Sequence, residues 1–450
     1  MSVIFCRMVM NASKSFLFSL AKRHYAAAAN PQAASCSSKD VQVTTLPSKM
    51  TIASMESPLP GLCKVAVAIK AGSRYEKPDN LGVSHILRSS AGLTTKCASH
   101  FAISKNIQQI GATLSATSDR ETIVYELETN NENVECGLQY LKYALVGQEF
   151  RPWELSDNIP RIKYEIAIVP PQVKVIDMLH KAAYRTGLGN SIFAKKYNIK
   201  KIGTETLQHF VATNFLTSRT SVAGVGVDHN TLMHFGEGLG FSCEEGETSK
   251  AKYYGGELRK DTNSQLAYAI IAGESAGLNK KEVFAYAVLR HALGSGPGIK
   301  RGVGSSPLCR AVSNSFGPAT AQALAIAHAD SGLFGVLISC TPEDANNVVS
   351  SVMKALKAGV TDADVRRGKA QLTSQLLFCS ESADSLLNDI ANQCALMGGA
   401  KSPAHLVSDI AAVTASEVQQ ALQKIVSGKK SMAAIGRIHN VPYLADINHV

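Results

Sequence analysis

His85 stands in Asn80-Leu-Gly-Val-Ser-His-Ile-Leu-Arg-Ser89, shortly after Gly72-Ser-Arg-Tyr-Glu76. The run reads as helix, so residues 85 and 89 share a face and residue 88 lies beside them. His-x-x-Glu-His at these positions would be an inverted zinc motif: two imidazole ligands and a glutamate that takes a proton from metal-bound water. Here Arg88 and Ser89 occupy the places of the glutamate and the second histidine. A guanidinium cannot take a proton, and its fixed charge opposes a dication. Serine is a poor zinc ligand, and a zinc site wants three or four protein donors. From the residues alone, His85 is a packed or hydrogen-bonded histidine, and no catalytic, metal-binding or cofactor-binding residue is expected.

The other segment that invites chemistry is Gly294-Ser-Gly-Pro-Gly-Ile-Lys-Arg-Gly-Val-Gly304. It meets neither GxxxxGK[ST] nor GxGxxG, and Pro297 removes a backbone donor, so it reads as a surface loop and not a phosphate cradle. The ten cysteines contain no CxxC pair, which sets aside zinc ribbons and thioredoxin-like sites. Buried reduced thiols are the expectation.

The elements that hold these residues repeat. Lys64-Val-Ala-Val-Ala-Ile-Lys-Ala-Gly-Ser73 alternates as a half-buried strand does, and Gln265 to Glu274 repeats the pattern 201 residues later. Ile86-Leu-Arg88 returns as Val288-Leu-Arg290 at 202. Each half continues with a strand, a turn (Asp119 and Asp330), a strand and a helix, the second helix starting at Thr341-Pro-Glu-Asp344. Each closes with a helix and a strand, in which Ser221 and Gly226 match Ser431 and Gly436 at 210. The fold class expected is α/β of the α+β type: two homologous domains, each a mixed or antiparallel sheet with helices packed on one face. The polar, Gly-rich stretch 238–256 reads as the linker, which places the domains at 36–237 and 257–450.

Residues 1–35 carry Arg7, Lys14, Lys22 and Arg23 and no acid. With Phe16, Leu17 and Leu20 on one side of a short helix, this is the composition of a mitochondrial presequence and spacer, ending near Arg23-His-Tyr25. Without it the net charge of +10 falls to +6, mild for the length and scattered, so no nucleic acid is expected as partner. No run reaches the roughly 18–20 apolar residues of a membrane span, although peripheral attachment is compatible with this chain.

Asn80-x-Gly82-x-x-His85 after Gly72-Ser-Arg-x-Glu76 resembles the opening of the inverted-zinc metallopeptidases, the pitrilysin or M16 family. That family includes the mitochondrial processing peptidases and the core proteins of respiratory complex III. The resemblance implies a third ligand on a later helix and places it at Glu165, 76 residues beyond Ser89. The degenerate positions are then His85, Arg88, Ser89 and Glu165. Leu93 to Lys96, Gly111 to Arg120, Glu149 to Glu154 and Ser427 to Ala434 resemble the core-protein branch, and the likeness runs from about residue 40 to the end. It implies an inactive peptidase homologue and scaffold of ubiquinol–cytochrome c reductase, with no haem, quinone or other cofactor of its own. It would be peripheral on the matrix side of the mitochondrial inner membrane, paired with core protein 1 among the other subunits of dimeric complex III. The alternative is the substrate-binding, non-catalytic subunit of a mitochondrial processing peptidase. The 294–304 stretch falls where that subunit carries its loop, but Pro297, Lys300 and Arg301 make it less purely glycine and more basic.

Overall fold

The computed structural model describes residues 40–449 apart from 60, 247, 297–305 and 314. The expected leader, and the 294–304 stretch from Pro297 onward, lie outside the described residues.

Six strands form the first sheet: β1 (Gln42–Thr45), β2 (Thr51–Met55), β3 (Leu62–Ile69), β4 (Thr113–Ser118), β5 (Ile123–Asn130) and β6 (Thr220–Val225). Their order is β1-β2-β6-β3-β5-β4, with β2 and β6 parallel and every other pair antiparallel. The second sheet holds β7 (Gly256–Asp261), β8 (Ala267–Ser275), β9 (Thr320–Ala327), β10 (Gly332–Cys340) and β11 (Lys430–Gly436). Its order, β7-β11-β8-β10-β9, repeats the first without the edge strand β1, and its parallel pair β7/β11 matches β2/β6. The duplication read from residue offsets is therefore a duplication of topology. It extends to single atoms. Gly226 (φ +77°) follows β6 and Gly436 (φ +115°) ends β11, and a Cβ on either would lie 2.4 Å from a carbonyl oxygen, of Leu62 and Leu266 respectively. Only glycine tolerates both the left-handed backbone and the close approach.

One face of each sheet packs on helices of its own half. Val65, Val67, Ile69, Tyr125 and Leu127 meet Ile86, Leu87, Leu138 and Leu141, and Ile271, Phe334, Val336 and Ile338 meet Val288, Leu289, Val352 and Val418. The opposite faces are exchanged. The Ala383–Met397 helix lays Leu386, Leu387, Ile390 and Cys394 on Ala53, Ala66, Ala68 and Ala223 of the first sheet. The Pro171–Tyr184 helix lays Val175, Leu179 and Tyr184 on Tyr268, Ile270, Leu337 and Ile435 of the second. This corrects the half-buried reading of Lys64 to Ser73. β3 is buried on both faces because the second half supplies a lid, and the alanines on that face let the helix backbone approach closely. Lys64 itself is buried, paired with Glu128 at 3.1 Å and with Asp384 of the crossing helix.

The helix start at Thr341 also differs from expectation. Pro342–Asp344 forms a 3₁₀ turn, and the α-helix Ala345–Ala358 starts after it, with no cap bond from the Thr341 side chain. Asp344 is instead bonded outward, accepting from the Phe316 N–H (2.8 Å) and Asn347 Nδ2 (3.1 Å).

Candidate functional site

The Val83–Ser89 helix is anchored at its N-terminus by a buried carboxylate. Glu76 accepts from the Gly82 N–H (2.7 Å), the Ser84 N–H (3.0 Å) and Ser84 Oγ (2.5 Å). These are the unpaired donors of a helix start, and a negative group there is favoured by the helix dipole. Burial pushes the Glu76 carboxyl up to about 7, against the pull of those hydrogen bonds. Gly82, at φ +95°, precedes the first turn, and a Cβ there would lie 2.6 Å from Ala194 Cα. The helix start, the 194 loop and Glu76 are thus one packed unit, which sets the direction of His85.

His85 is 2% exposed. Its Nδ1 accepts from the Ala194 N–H at 3.3 Å, and the ring meets Phe193 edge-on at 5.9 Å between centroids. An accepting Nδ1 puts the proton of the neutral ring on Nε2, which faces Glu165 Oε2 at 3.3 Å. Burial, reinforced by the charge of Arg88, lowers His85 to about 4 despite the attraction of Glu165. The imidazole is neutral at physiological pH and donates to the carboxylate.

Glu165 reaches this point from the Pro152–Ile168 helix, which starts with Pro152 at its first position and is tied at its first turn by Glu154, which accepts from the Thr94 N–H (3.1 Å) and Oγ1 (2.5 Å). The same Oε2 that meets His85 is ion-paired with Arg88, and Arg161 Nε lies 3.3 Å from Oε1. Burial alone would raise this carboxyl, but Arg88, His85 and Arg161 outweigh it and hold Glu165 below the usual carboxylate range. Ser89 contributes nothing to the pair. Its carbonyl accepts from Asn158 Nδ2 at 2.8 Å, and its buried Oγ has no hydrogen-bond partner among the described residues.

The structure thus brings His85, Arg88 and Glu165 together and leaves the Ser89 hydroxyl apart. Sequence reasoning passed over Arg161, although its i,i+4 spacing to Glu165 on one helix was a readable signal. It also passed over the anchoring role of Glu76, which was quoted only as part of a pattern. The chemistry of the cluster is that of a closed ion pair: a carboxylate with two guanidinium groups and one neutral imidazole donor. Among the described residues, no group of three or more His, Cys, Asp or Glu is placed to hold a metal ion. No helix among them is long and apolar enough to cross a membrane.

Comparison with known proteins agrees with this frame. Residues 51–196 match the family described as Insulinase (Peptidase family M16), and residues 201–372 match Peptidase M16 inactive domain. The chain is 34% identical to cytochrome b-c1 complex subunit 2, mitochondrial, of Mus musculus over 424 residues, 91% of this chain and 92% of that protein. It is 34% identical to the Homo sapiens protein of the same name over 436 residues, 94% and 95% of the two chains. To the probable mitochondrial-processing peptidase subunit alpha-2 of Arabidopsis thaliana it is 28% identical over 417 residues, 89% and 83%. With the repeated mixed sheet, the helix that carries His85 and these matches over more than nine tenths of both chains, the chain belongs to peptidase family M16.

Proposed function

We propose that the chain is a non-catalytic core subunit of ubiquinol–cytochrome c reductase, needed for the assembly and stability of respiratory complex III. The observation that carries the non-catalytic part is Arg88 seated on Glu165. His85, Arg88, Ser89 and Glu165 are read as the degenerate positions of an M16 zinc site. The residues present do not fit zinc: one imidazole and one carboxylate remain, and the carboxylate is held by Arg88 and Arg161. A cation fixed to the chain takes the place where a dication would bind, and the position of the general base holds a group that cannot accept a proton. The assignment to complex III is supported by the similarity to the b-c1 subunit over nearly the whole chain.

In this reading residues 1–35 are a mitochondrial presequence and spacer. Domains 36–237 and 257–450, joined by 238–256, form a shell on the matrix side that pairs with core protein 1 in the dimeric complex. A second reading, the non-catalytic subunit of a processing peptidase, is favoured by the 28% identity to subunit alpha-2 over 89% of the chain. Depletion in cells separates them. Loss of assembled complex III, with ubiquinol–cytochrome c reductase activity falling in proportion, is the expected result. Intact complex III with uncleaved matrix precursors accumulating would favour the second reading.

A further inference from the structure

The Glu282–Leu293 helix is the second half's counterpart of Val83–Ser89. At the 202-residue offset Arg290 repeats Arg88, and His291 stands in the place of Ser89. The long helix Asp362–Glu381 meets it closely at Gly368, where a Cβ would lie 2.8 Å from the Ala292 backbone nitrogen. Leu372 and Leu376 follow Gly368 at four-residue spacing and share its helix face. Past this close approach the two helices leave a cavity of about 170 Å³, with Phe284, Ala287, His291, Leu372, Leu376 and Leu406 on its wall.

His291 is 4% exposed, and neither ring nitrogen has a hydrogen-bond partner among the described residues. Buried polar side-chain atoms are mostly paired, so a histidine with both nitrogens unmet points to something that meets them. Burial, then the charge of Arg290, lowers the ring to about 4, so it is neutral at physiological pH, with one N–H donor and one bare nitrogen. The charged groups that reach the same cavity are already engaged within the protein. Arg290, Asp119 and Asp389 each have interactions of their own, and Glu121 accepts from Arg74 (2.6 Å) and from the Ala329 N–H (3.0 Å). What His291 leaves unmet is therefore a neutral donor and acceptor beside an apolar wall.

We propose that this cavity binds a neutral phenol, its hydroxyl at His291 and its ring among Phe284, Leu372 and Leu376. A hydroxyl both donates and accepts, so it serves whichever imidazole nitrogen faces the cavity. An apolar cavity of about 150 Å³ takes a benzene ring, so one ring with a single small substituent fills this one. An aromatic body also finds an aromatic partner in Phe284, which an aliphatic alcohol does not exploit. A phenol loses its proton only near pH 10, as tyrosine does, and so enters uncharged. A carboxylate or ammonium ligand would shed its water beside ions that already have partners, and is refused on that cost.

The test follows 4-fluorophenol by ¹⁹F NMR on the purified full chain. The expected result is one saturable site per chain, displaced by phenol and not by benzoate or phenyltrimethylammonium. 4-Fluorotoluene keeps the ring and lacks the hydroxyl, so it calibrates the apolar part. His291→Leu should weaken fluorophenol relative to fluorotoluene by about fivefold or more, the worth of one hydrogen bond. Taking the ratio cancels changes in the apolar wall that both probes feel. Leu376→Trp, which fills the cavity, should weaken both probes. Circular dichroism reports whether each variant folds. A measurement on the unmodified chain needs no variant: with ¹⁵N in the histidine rings, saturating fluorophenol should move the resonances of one neutral ring. Absence of saturable binding, which would leave His291 to water alone, overturns the proposal. So does saturation that moves no histidine ring, displacement by benzoate as readily as by phenol, or an unchanged ratio in a folded His291→Leu variant.

Discussion

Arg74 grips Asp330 through two parallel hydrogen bonds, Nη1 to Oδ1 at 2.8 Å and Nη2 to Oδ2 at 2.6 Å, across 256 residues of sequence. The pair joins the two halves: Arg74, in the 3₁₀ turn Ser73–Tyr75 after β3, reaches Asp330 in the β9–β10 hairpin turn of the second. Arg74 also donates to Glu121 of the β4–β5 turn (2.6 Å) and to the Ser249 carbonyl (2.7 Å), and Asp330 accepts from the Ala251 N–H at 2.7 Å. Only 9% of the arginine side chain is exposed. Removing it leaves buried carboxylates without a counter-charge. Arg74→Ala should therefore cost about 3 kcal/mol, the low end for breaking a buried pair, since Asp330 is partly solvated. Arg74→Lys should recover only part of this, because an ammonium cannot make the two parallel bonds. Denaturant titration is the measurement. An unchanged midpoint in Arg74→Ala would show that the halves are held together without this hinge.

The same pair has a pH signature. Burial would raise Asp330, but the hydrogen bonds from Arg74 and the Ala251 N–H outweigh it and leave the carboxyl below its usual value. A carboxyl lowered in the folded state stabilises fully above its unfolded pKa, about 3.9, and that contribution is lost as pH falls through the folded value. His85 acts higher on the scale. Its folded value near 4 lies below the unfolded 6.5, so the unfolded state binds the extra proton between them. Stability from His85 is whole above about pH 6.5 and drains as pH falls toward 4. Because Arg88 is the second cause of the depression, Arg88→Ala should move the His85 titration upward. Proton NMR of the ring would record it, and an unmoved His85 would mean that burial alone sets its value.

The crossing helices predict an asymmetric tolerance of size. Ala66 is fully buried under the Ala383–Met397 helix, among Leu387, Ile390 and Ala391. Ala66→Leu forces extra volume into a closely approached face and should cost about 1–3 kcal/mol. Asn131→Ala, at an exposed turn beyond β5, should change stability by less than about 0.5 kcal/mol. Thermal unfolding compares them. Equal and small effects would mean that the helix does not pack on the alanine face.

What was legible and what was not divides along physical lines. The repeat was readable because strand alternation and the glycines at positive φ are local demands, and both copies kept them. The proximity of Glu165 to His85 was available only through resemblance, since nothing local ties a residue on one helix to another so far away in sequence. The exchange of helices was hidden for a different reason. An apolar stripe at helical spacing looks the same whichever sheet it covers, so Leu386, Leu387 and Ile390 gave no hint that they belong on the other half. The burial of Lys64 was hidden for the same reason: nothing local in an alternating strand shows that a lysine at its start is covered, and its partner Asp384 lies 320 residues off.

Residues 1–35 carry a prediction that rests on composition alone. Four cations and no acids are the marks of a cleaved mitochondrial leader. Protein isolated from mitochondria should begin close to Ala26 or within the spacer after it. N-terminal sequencing finding Met1 in place would remove the targeting claim.

The last prediction concerns the corner at His85. Wild-type protein, purified without a tag, should hold no stoichiometric zinc, because His85 and Glu165 are two donors and Arg88 already occupies the carboxylate. The double substitution Arg88→Glu, Ser89→His removes the competing cation and supplies a second imidazole one helical turn from His85. With Glu165 that makes three donors, the minimum for a zinc site with an open position. Metal analysis should then find about one zinc per chain in the double variant, and a chelator should lower its melting temperature while leaving the wild type unchanged, as linkage requires of a ligand bound only by the folded state. Ser89 is buried, so the larger ring must displace its neighbours, and Ser89→His alone tests whether the fold accepts it. If the wild type instead carried one zinc that vanished in His85→Ala, Arg88 would have to swing off Glu165 in solution, and the corner would be a working metal site with the guanidinium as its lid.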